Sequence, residues 1–402
     1  MNYDIGIIGA GVAGVFSALK ISKDYKNAKI IMFDFGRPPQ KRRRQLEGFL
    51  GCLPNSDGKL YCSDLDKITN IAGNRRIKSA HNWLNQTISN IGNFKTIKDK
   101  GPSISLEKKI IKAGFKVQLN DYSQMYPKDI HALSKYSSDI LENNKNLTCI
   151  YDTEVTKILK QKGCFHVLTD HQEYKCKKLI IATGRSGWRW SKDLFTNFGI
   201  IDNNNYATYG VRLELNSYYM KDFNKSNCSL IKENELEIGP LSWFGTVIPE
   251  DHVDLAISAF RSNEERWKSD KVSFQLTGHR YFENQGFQQT DRLGKLAFLL
   301  ANDRIIKERV SSILNKRSKI SIIPEYDWLR ESLTELSQVI PDLVTKGYYH
   351  IPTIMPLPPK INLGNNLESE IDGMYVVGES AGIVGLLAAG VMGIVAANES
   401  CK

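Results

Sequence analysis

Three glycines near the start of the chain have the spacing of a phosphate-binding turn. Gly9, Gly11 and Gly14 lie between an apolar run at residues 3–8 and a helical pattern at residues 12–22. The first glycine would allow a tight turn, the second would let a pyrophosphate approach the backbone, and the third would let helix and strand pack closely. The helix N-terminus would then offer free N–H groups to the phosphates. The pattern predicts a dinucleotide site, the alternative being a plain glycine turn.

An acidic residue follows at the distance that such a site requires. Residues 28–34, AKIIMFD, are typical of a second strand, and Asp34 ends it twenty residues after Gly14. A carboxylate at this place can accept hydrogen bonds from the hydroxyls of the adenosine ribose. Because it would repel the additional phosphate of NADP, the sequence favours FAD or NAD.

Two later segments predict returns of the chain to the same sheet. Residues 177–187, KKLIIATGRSG, and residues 373–382, GMYVVGESAG, are apolar strands that end in glycine turns. The first resembles the ATG motif of two-dinucleotide-fold flavoproteins, and the second resembles their distal flavin motif. In that motif the carboxylate, here Glu379, accepts a hydrogen bond from the ribityl chain. The apolar stretch at 382–397 is too short for a membrane span and predicts a buried helix.

The resemblance extends beyond these turns. The segments NSDGKL (55–60), GVRLE (210–214) and LESEIDGMYVVGESAG (367–382) resemble a family of FAD-dependent dehydrogenases. That family is related to the glutathione-reductase-like flavoproteins and to aminoacetone-oxidase-like proteins with two lobes. The resemblance implies bound FAD and an inserted substrate domain, but no particular substrate. The chain departs from the family in GCLPN, which replaces a glycine pair, and in GRS (184–186), which replaces Gly-His-Ser.

The predicted fold class is α/β, with a discontinuous Rossmann-like FAD-binding domain and an inserted mixed α+β substrate domain. The FAD-binding domain is expected in residues 1–64, 146–204 and 351–402. Residues 65–145 are expected to form a mostly helical insertion, and residues 205–350 a substrate or cap domain. The predicted cofactor-binding residues are Gly9, Gly11, Gly14, Asp34, Val155, Ala182, Thr183, Gly184, Gly378 and Glu379.

Two residues are candidates for catalysis. Lys59 belongs to the segment 51–60, which should line the isoalloxazine ring, and its charge could stabilise reduced flavin. A solvated loop lysine is the alternative. His350 could act as an acid–base group, the alternative being a structural histidine. Asp57 is expected to close a turn, and Cys52 to be an incidental cysteine.

Composition restricts the function only broadly. The 402 residues carry a formal net charge of +10, which permits nucleic acid or a phosphorylated substrate and equally fits a lysine-rich surface. The seven cysteines form no CxxC pair, so neither a zinc ribbon nor a dithiol motif is predicted, and no metal site is expected. No signal-peptide pattern opens the chain, and we expect a cytoplasmic protein without a membrane partner.

Three functions are compatible with these features. The first is an FAD-dependent oxidoreductase that takes hydride from a C–H bond next to an amine or alcohol on a small molecule. The second is an FAD-dependent enzyme acting on an amino-acid-modified thymine or uridine in DNA or tRNA, which KRRR (41–44) and WRW (188–190) would favour. The third is a binding scaffold without flavin, against which the intact motifs argue. No second complete GxGxxG occurs, so no internal nicotinamide domain is predicted, and the oligomeric state stays open.

Overall fold

The computed structural model describes residues 2–42, 45–92, 94–201, 205–232, 235–252, 254–283, 285–302 and 304–402. The chain divides into two compact units. Unit 1 comprises Met1–Lys95, Ser123–Asn203 and Leu357–Lys402, and unit 2 comprises Thr96–Tyr122 and Asn204–Pro356.

Both units contain strands and helices. The strands in chain order are β1 (Asn2–Ile8), β2 (Ile30–Phe33), β3 (Lys59–Tyr61), β4 (Thr96–Ile97), β5 (Lys116–Gln118), β6 (Tyr122–Gln124), β7 (Leu147–Ile150), β8 (Val155–Gln161), β9 (Cys164–Thr169), β10 (Glu173–Ile181), β11 (Tyr206–Asn216), β12 (Ser229–Lys232), β13 (Leu236–Ile238), β14 (Ser242–Trp243), β15 (Thr246–Asp251), β16 (Ala256–Arg261), β17 (Lys271–Tyr281), β18 (Ile306–Arg309), β19 (Tyr348–Ile354) and β20 (Met374–Val376). The helices are α1 (Val12–Asp24), α2 (Asp64–Ala72), α3 (Asn74–Ser89), α4 (Ile104–Lys112), α5 (Pro127–Glu142), α6 (Trp188–Phe198), α7 (Gly286–Leu300), α8 (Val310–Leu314), α9 (Trp328–Val339), α10 (Leu343–Lys346) and α11 (Leu386–Ser400).

Unit 1 is built on a mostly parallel sheet with the strand order β7-β2-β1-β10-β9-β8. β1 pairs in parallel with β2 and with β10, and β20 pairs in parallel with the end of β10. β8 and β9 form an antiparallel hairpin that joins β10. The carboxyl ends of β1, β2, β10 and β20 therefore meet at one edge, which is where α/β sheets bind ligands. The predicted α/β fold class is confirmed.

α11 and α1 pack closely on this sheet. The hydroxyl of Ser17 on α1 lies 2.9 Å from the carbonyl oxygen of Gly393 on α11. A Cβ added to Gly393 would lie only 2.2 Å from the carbonyl oxygen of Ala13, so the small residue is required for this approach. The apolar stretch at 382–397 thus supplies a buried helix, as predicted. Within the described part of the chain, the apolar helices all fall short of what crossing a membrane requires.

Unit 2 is built on an antiparallel sheet with the strand order β18-β19-β11-β17-β13-β12-β5, and β15 and β16 form a separate hairpin. Successive residues of a strand point to opposite faces of the sheet. In β11, Val211, Leu213 and Leu215 enter the apolar core. Arg212 and Glu214 lie on the other face and are nevertheless buried. This second face carries a polar cluster.

The segment 65–145, predicted as one helical insertion, is divided between the two units. α2, α3 and α5 belong to unit 1, whereas α4 and β5 belong to unit 2. Residues 116–118 of β5 pair with residues 229–231 of β12, which ties this part of the segment to the sheet of unit 2. An apolar helical stripe shows that a helix is covered, but not which sheet covers it.

Candidate cofactor and active site

The glycine turn follows β1 at the carboxyl edge of the unit 1 sheet. Gly9 has φ +103°, and a Cβ there would lie 2.3 Å from the carbonyl oxygen of Ala182. A Cβ on Gly14 would lie 1.9 Å from the carbonyl oxygen of Gly9. At Gly11 the nearest atom to such a Cβ is 3.8 Å away. The fold therefore requires glycine at positions 9 and 14, whereas the space beside Gly11 suits a ligand that approaches the backbone.

α1 begins immediately after this turn. Its N-cap is Gly11, and among the described residues no side chain caps the helix and no acidic residue lies in its first turn. The first N–H groups of a helix have no partner within the helix. These donors and the helix dipole fit the pyrophosphate of a dinucleotide.

Asp34 organises the loops around the turn. Its Oδ2 accepts a hydrogen bond from the N–H of Ala10 at 2.6 Å, and its Oδ1 accepts from the N–H groups of Gly36 at 2.7 Å and Gly48 at 2.9 Å. Burial raises the pKa of Asp34, although these N–H groups and the nearby Arg42 oppose the shift. A carboxylate has about four acceptor positions, so these three bonds leave room for a ribose hydroxyl.

Part of the basic run at 41–44 turns inward. Arg42 donates hydrogen bonds to the carbonyl oxygen of Gln45 at 2.8 Å and also to those of Phe49 and Gly51. Burial lowers the pKa of Arg42. Its guanidinium therefore stabilises the loop over the glycine turn rather than facing a polyanion. The last two arginines of the run lie outside the described residues.

The turns after β10 and β20 are joined by hydroxyl groups. Thr183 Oγ1 lies 2.8 Å from Ser191 Oγ and 2.9 Å from Ser380 Oγ. The N–H of Gly184 donates to Ser380 Oγ at 3.3 Å. Gly184 has φ +61°, and a Cβ there would meet no described atom within 4 Å. The structure thus brings the ATG and VVGES segments together and leaves space beside them.

Glu379 forms an ion pair that the sequence did not predict. Arg185 donates to Glu379 Oε1 from Nη2 at 2.8 Å and from Nε at 3.2 Å. The side chains are 26% and 14% exposed, respectively. Because both Arg185 nitrogens donate to Oε1, Oε2 can accept a hydrogen bond from a ribityl hydroxyl. The only signal in the sequence was the GRS that replaces Gly-His-Ser.

Ala182 directly follows β10, and Gly378 lies two residues after the end of β20. Gly378 has φ +65°, and a Cβ there would come within 3.6 Å of the side chain of Ala13 on α1. Ala182 is 3% exposed, and its N–H donates to the carbonyl oxygen of Ile8 at 2.8 Å. Ala182 thus joins the end of β10 to β1, and the backbone of Gly378 lies close to α1.

Lys59 is the first residue of β3, and its side chain is only 9% exposed. Its Nζ lies 3.6 Å from Asp57 Oδ2, and its N–H donates to Asp57 Oδ1 at 3.3 Å. The second bond is the side-chain-to-backbone contact of an Asx turn, which is the role predicted for Asp57. Lys59 is thus a largely buried cation rather than a solvated loop lysine. Its catalytic role stays a prediction.

The two tryptophans of WRW pack within unit 1, and Val155 belongs to its core. Trp188 is 2% exposed, and Trp190 Nε1 donates to the carbonyl oxygen of Val155 at 2.6 Å. Arg189 lies 5.1 Å from the ring centroid of Trp188. The ring of Trp188 is thus closed to a base, while Trp190 is half-buried, and base stacking by this cluster stays a prediction. Val155 is itself 4% exposed at the start of β8.

His350 belongs to unit 2, whereas the predicted cofactor-binding residues belong to unit 1. It is 3% exposed, and its Nε2 lies 3.6 Å from Glu214 Oε2. Among the described residues neither ring nitrogen has a hydrogen bond, and burial lowers the pKa of His350. Glu214 also contacts Lys307 at 2.6 Å and Lys271 at 3.1 Å. The structure places His350 in a buried ionic cluster, and its acid–base role stays a prediction.

A family model for the pyridine nucleotide-disulphide oxidoreductases matches residues 3–207. The match spans about half of the chain and includes the glycine turn, Asp34 and the ATG segment. The chain belongs to this family. FAD is its cofactor, as the sequence predicted, and the open glycine turn, the helix N-terminus and the two carboxylates fit that group.

Several solved structures are distantly similar to the chain. Glycine oxidase from Geobacillus kaustophilus has 12% identity and a TM-score of 0.46, over 99% of this chain and 94% of that chain. The halogenase PltM has 11% identity and a TM-score of 0.44, over 98% and 67%. CtdE in complex with FAD has 12% identity and a TM-score of 0.41, over 100% and 85%. No curated protein sequence matches the chain.

Proposed function

We propose that this FAD-dependent oxidoreductase removes hydride from a C–H bond next to an amine or an alcohol of a small molecule. The observation that supports the proposal is the convergence of the glycine turn, Asp34, Thr183 and Glu379 at one edge of a parallel sheet, with open space beside Gly11. When bound, FAD supplies a flavin that accepts hydride.

The chain itself supplies orientation and charge. Asp34 and Glu379 each keep an oxygen position available for hydroxyl groups of the cofactor, while backbone amides and Arg185 fix the two carboxylates. The ammonium group of Lys59 lies in a largely buried position, where a cation stabilises nearby negative charge more strongly than in water. We assign to Lys59 the stabilisation of the negative charge that arrives with the hydride.

A substrate C–H bond is favoured over a disulphide. The family name describes disulphide chemistry, but the seven cysteines of this chain form no CxxC pair. The proposed substrate is therefore a small amine or alcohol.

The test is anaerobic mixing of the FAD-loaded protein with amines, amino acids, alcohols, NADH and NADPH, followed through the flavin absorbance. Bleaching by an amine or alcohol is the expected result. Reduction only by NADH or NADPH would instead identify a reductase, and no reduction by any compound would reject the proposal. Lys59→Met should slow the bleaching at least 10-fold, whereas the exposed control Lys26→Gln should not change it.

The alternative substrate, an amino-acid-modified base in nucleic acid, has less support from Arg42 and Trp188 than the sequence suggested. Arg42 binds carbonyl groups of its own loop, and Trp188 is buried. Adding an amino-modified oligonucleotide to the same bleaching experiment separates the alternatives, because only a nucleic-acid enzyme would prefer it to the free amine.

A further inference from the structure

An exposed group of aromatic rings and lysines lies at one end of the unit 2 sheet, and the proposed chemistry makes no use of it. We call it the aromatic–lysine surface and define it by Tyr218, Tyr219, Lys221, Lys225 and Phe244. The exposed fractions of the three rings are 71%, 36% and 37%, in that order. Aromatic rings contribute strongly to binding energy, and contiguous exposed apolar patches commonly mark interaction sites.

The start of β17 brings the two parts of this surface together. Asn216, two residues before Tyr218, pairs with Lys271, and the N–H of Phe244 donates to the carbonyl oxygen of the same Lys271 at 2.7 Å. Neighbouring strands are about 4.8 Å apart, so these two backbones flank β17 at a separation of roughly 10 Å. Lys225 bridges the gap, since its Nζ lies 5.3 Å from the ring centroid of Phe244.

Each lysine of the surface lies over one of its aromatic rings. Lys221 Nζ lies 5.9 Å from the ring centroid of Tyr218, as Lys225 Nζ lies near that of Phe244. Both lysines are exposed, and neither forms an ion pair with another described residue. Asp222 is an exposed carboxylate between them, so the segment 217–225 has a net charge of +1. The lysines can therefore contact a phosphate while the rings contact an apolar group.

Phe244 is held in place by its surroundings. Its φ is +59°, a conformation that is unfavourable for a bulky side chain. Its neighbour Trp243 is 9% exposed, and Trp243 Nε1 donates to the carbonyl oxygen of Ser226 at 2.6 Å. The buried tryptophan thus anchors the backbone that presents the exposed phenyl ring. Imposed conformations of this kind occur frequently at ligand sites.

We propose that the aromatic–lysine surface binds single-stranded nucleic acid, with bases stacked on Tyr218 and Phe244 and phosphates at Lys221 and Lys225. Single strands expose their base faces for stacking on aromatic side chains, which a duplex does not. The formal net charge of +10 adds long-range attraction for a polyanion. A membrane-binding surface would separate its rings from its lysines, whereas here each lysine lies within 6 Å of a ring centroid. The inference is independent of the substrate of the flavin.

The test is fluorescence anisotropy of a labelled oligothymidylate of about 12 nucleotides, mixed with the FAD-loaded full chain. Tyr218→Ala and Phe244→Ala should each weaken binding about 5- to 100-fold. The double variant Lys221→Gln/Lys225→Gln should reduce the slope of log affinity against log salt by about 1.4. A duplex of the same length should bind more weakly than the single strand.

The chain provides a matched control. Tyr206 and Tyr281 form an exposed pair with ring centroids 5.5 Å apart, and their exposed fractions are 58% and 61%. They pair at the opposite end of β11 and β17, about 33 Å from the aromatic–lysine surface. Tyr206→Ala and Tyr281→Ala should therefore leave binding unchanged. Tyr218→Phe, which keeps a ring, should retain binding.

Three results would overturn the proposal. In the first, the wild type does not bind the single strand. In the second, the Tyr206 and Tyr281 variants lose as much affinity for the oligonucleotide as the Tyr218 and Phe244 variants. In the third, the protein binds vesicles of anionic lipid but not the oligonucleotide. An unchanged melting temperature and flavin absorbance of each variant show that the fold is retained. Flavin reduction by small amines should be the same in all of these variants, so failure of the binding proposal is distinguishable from failure of the proposed oxidoreductase function.

Discussion

The two units bury polar groups by different means. In unit 1 the Asp34 carboxylate accepts hydrogen bonds from backbone amides, and the nearby turn is open beside Gly11. In unit 2 the Glu214 carboxylate is 2% exposed and is neutralised by the side chains of Lys271 and Lys307. The backbone donors around Asp34 leave its carboxylate an acceptor position for a ligand. The charge of Glu214 is instead balanced by lysine side chains of the same unit.

This difference follows from the two kinds of sheet. Parallel strands end together at one edge, and the turns that leave them carry N–H groups and glycines to the same place. In the antiparallel sheet of unit 2, a side chain lies next to the side chain of the paired residue on the neighbouring strand. His350 is paired with Arg212 in this way. Substitutions at the open, ligand-facing positions of unit 1 should therefore affect mainly the cofactor, and substitutions in the ionic cluster mainly stability.

The largest effect is expected for Glu214→Gln. It removes the buried carboxylate that the half-exposed Lys271 and Lys307 share with the buried His350, and it should lower the free energy of unfolding by about 3 kcal/mol. Lys307→Gln, which removes a half-exposed partner, should have an effect of about 1 kcal/mol or less. Urea unfolding of the three proteins checks the order, and equal effects would contradict a cluster centred on Glu214.

The same cluster predicts a pH dependence of unfolding. Burial opposes ionisation of Glu214, but the contacts with His350 and Lys307 dominate and lower its pKa to about 2. An unfolded glutamate titrates near pH 4.3, so the stabilisation is complete above that value and is lost as the pH falls toward about 2. The difference in unfolding free energy between wild type and Glu214→Gln should narrow between pH 5 and pH 3. A constant difference would show that Glu214 does not titrate in this way.

Two glycine variants separate fold from cofactor in unit 1. Gly14→Ala places a Cβ 1.9 Å from a backbone oxygen and should lower the free energy of unfolding by about 2–3 kcal/mol. Gly11→Ala meets no such contact and should leave the apoprotein stable, while weakening FAD binding at least 10-fold by blocking the pyrophosphate. Melting of the apoprotein and titration with FAD measure the two effects. Unchanged FAD affinity in Gly11→Ala would argue against a pyrophosphate at this turn.

The smallest effect is expected for Arg185→Ala. The ion pair with Glu379 is partly exposed, so its loss should weaken FAD binding by a factor of about 5, without unfolding the protein. If Arg185 acts by orienting Glu379, the double variant with Glu379→Gln should bind FAD as Glu379→Gln alone does. Fluorescence quenching of FAD measures all three affinities, and additive losses would assign Arg185 a separate contact.

Much of the FAD-binding unit could be predicted from local pattern. Gly9, Gly14 and Asp34 have their places fixed by short-range sterics within one β-α-β unit, where spacing alone reveals the turn and the strand end. The strands that lead into the ATG and VVGES segments are apolar and short, which is typical of buried parallel strands. A sequence therefore indicates these elements before the tertiary structure is known.

The sequence by itself determined the cofactor class, the strand–glycine turns and the acidic residues that accompany them, because each depends on residues close together in the chain. The tertiary structure decided which side chains meet. Arg185 reaches Glu379 across 194 positions only because β10 and β20 are neighbours. Trp188 and Arg42 look like nucleic-acid contacts in the sequence, yet packing turns both inward. Burial and long-range pairing depend on the whole fold, and no local spacing encodes them.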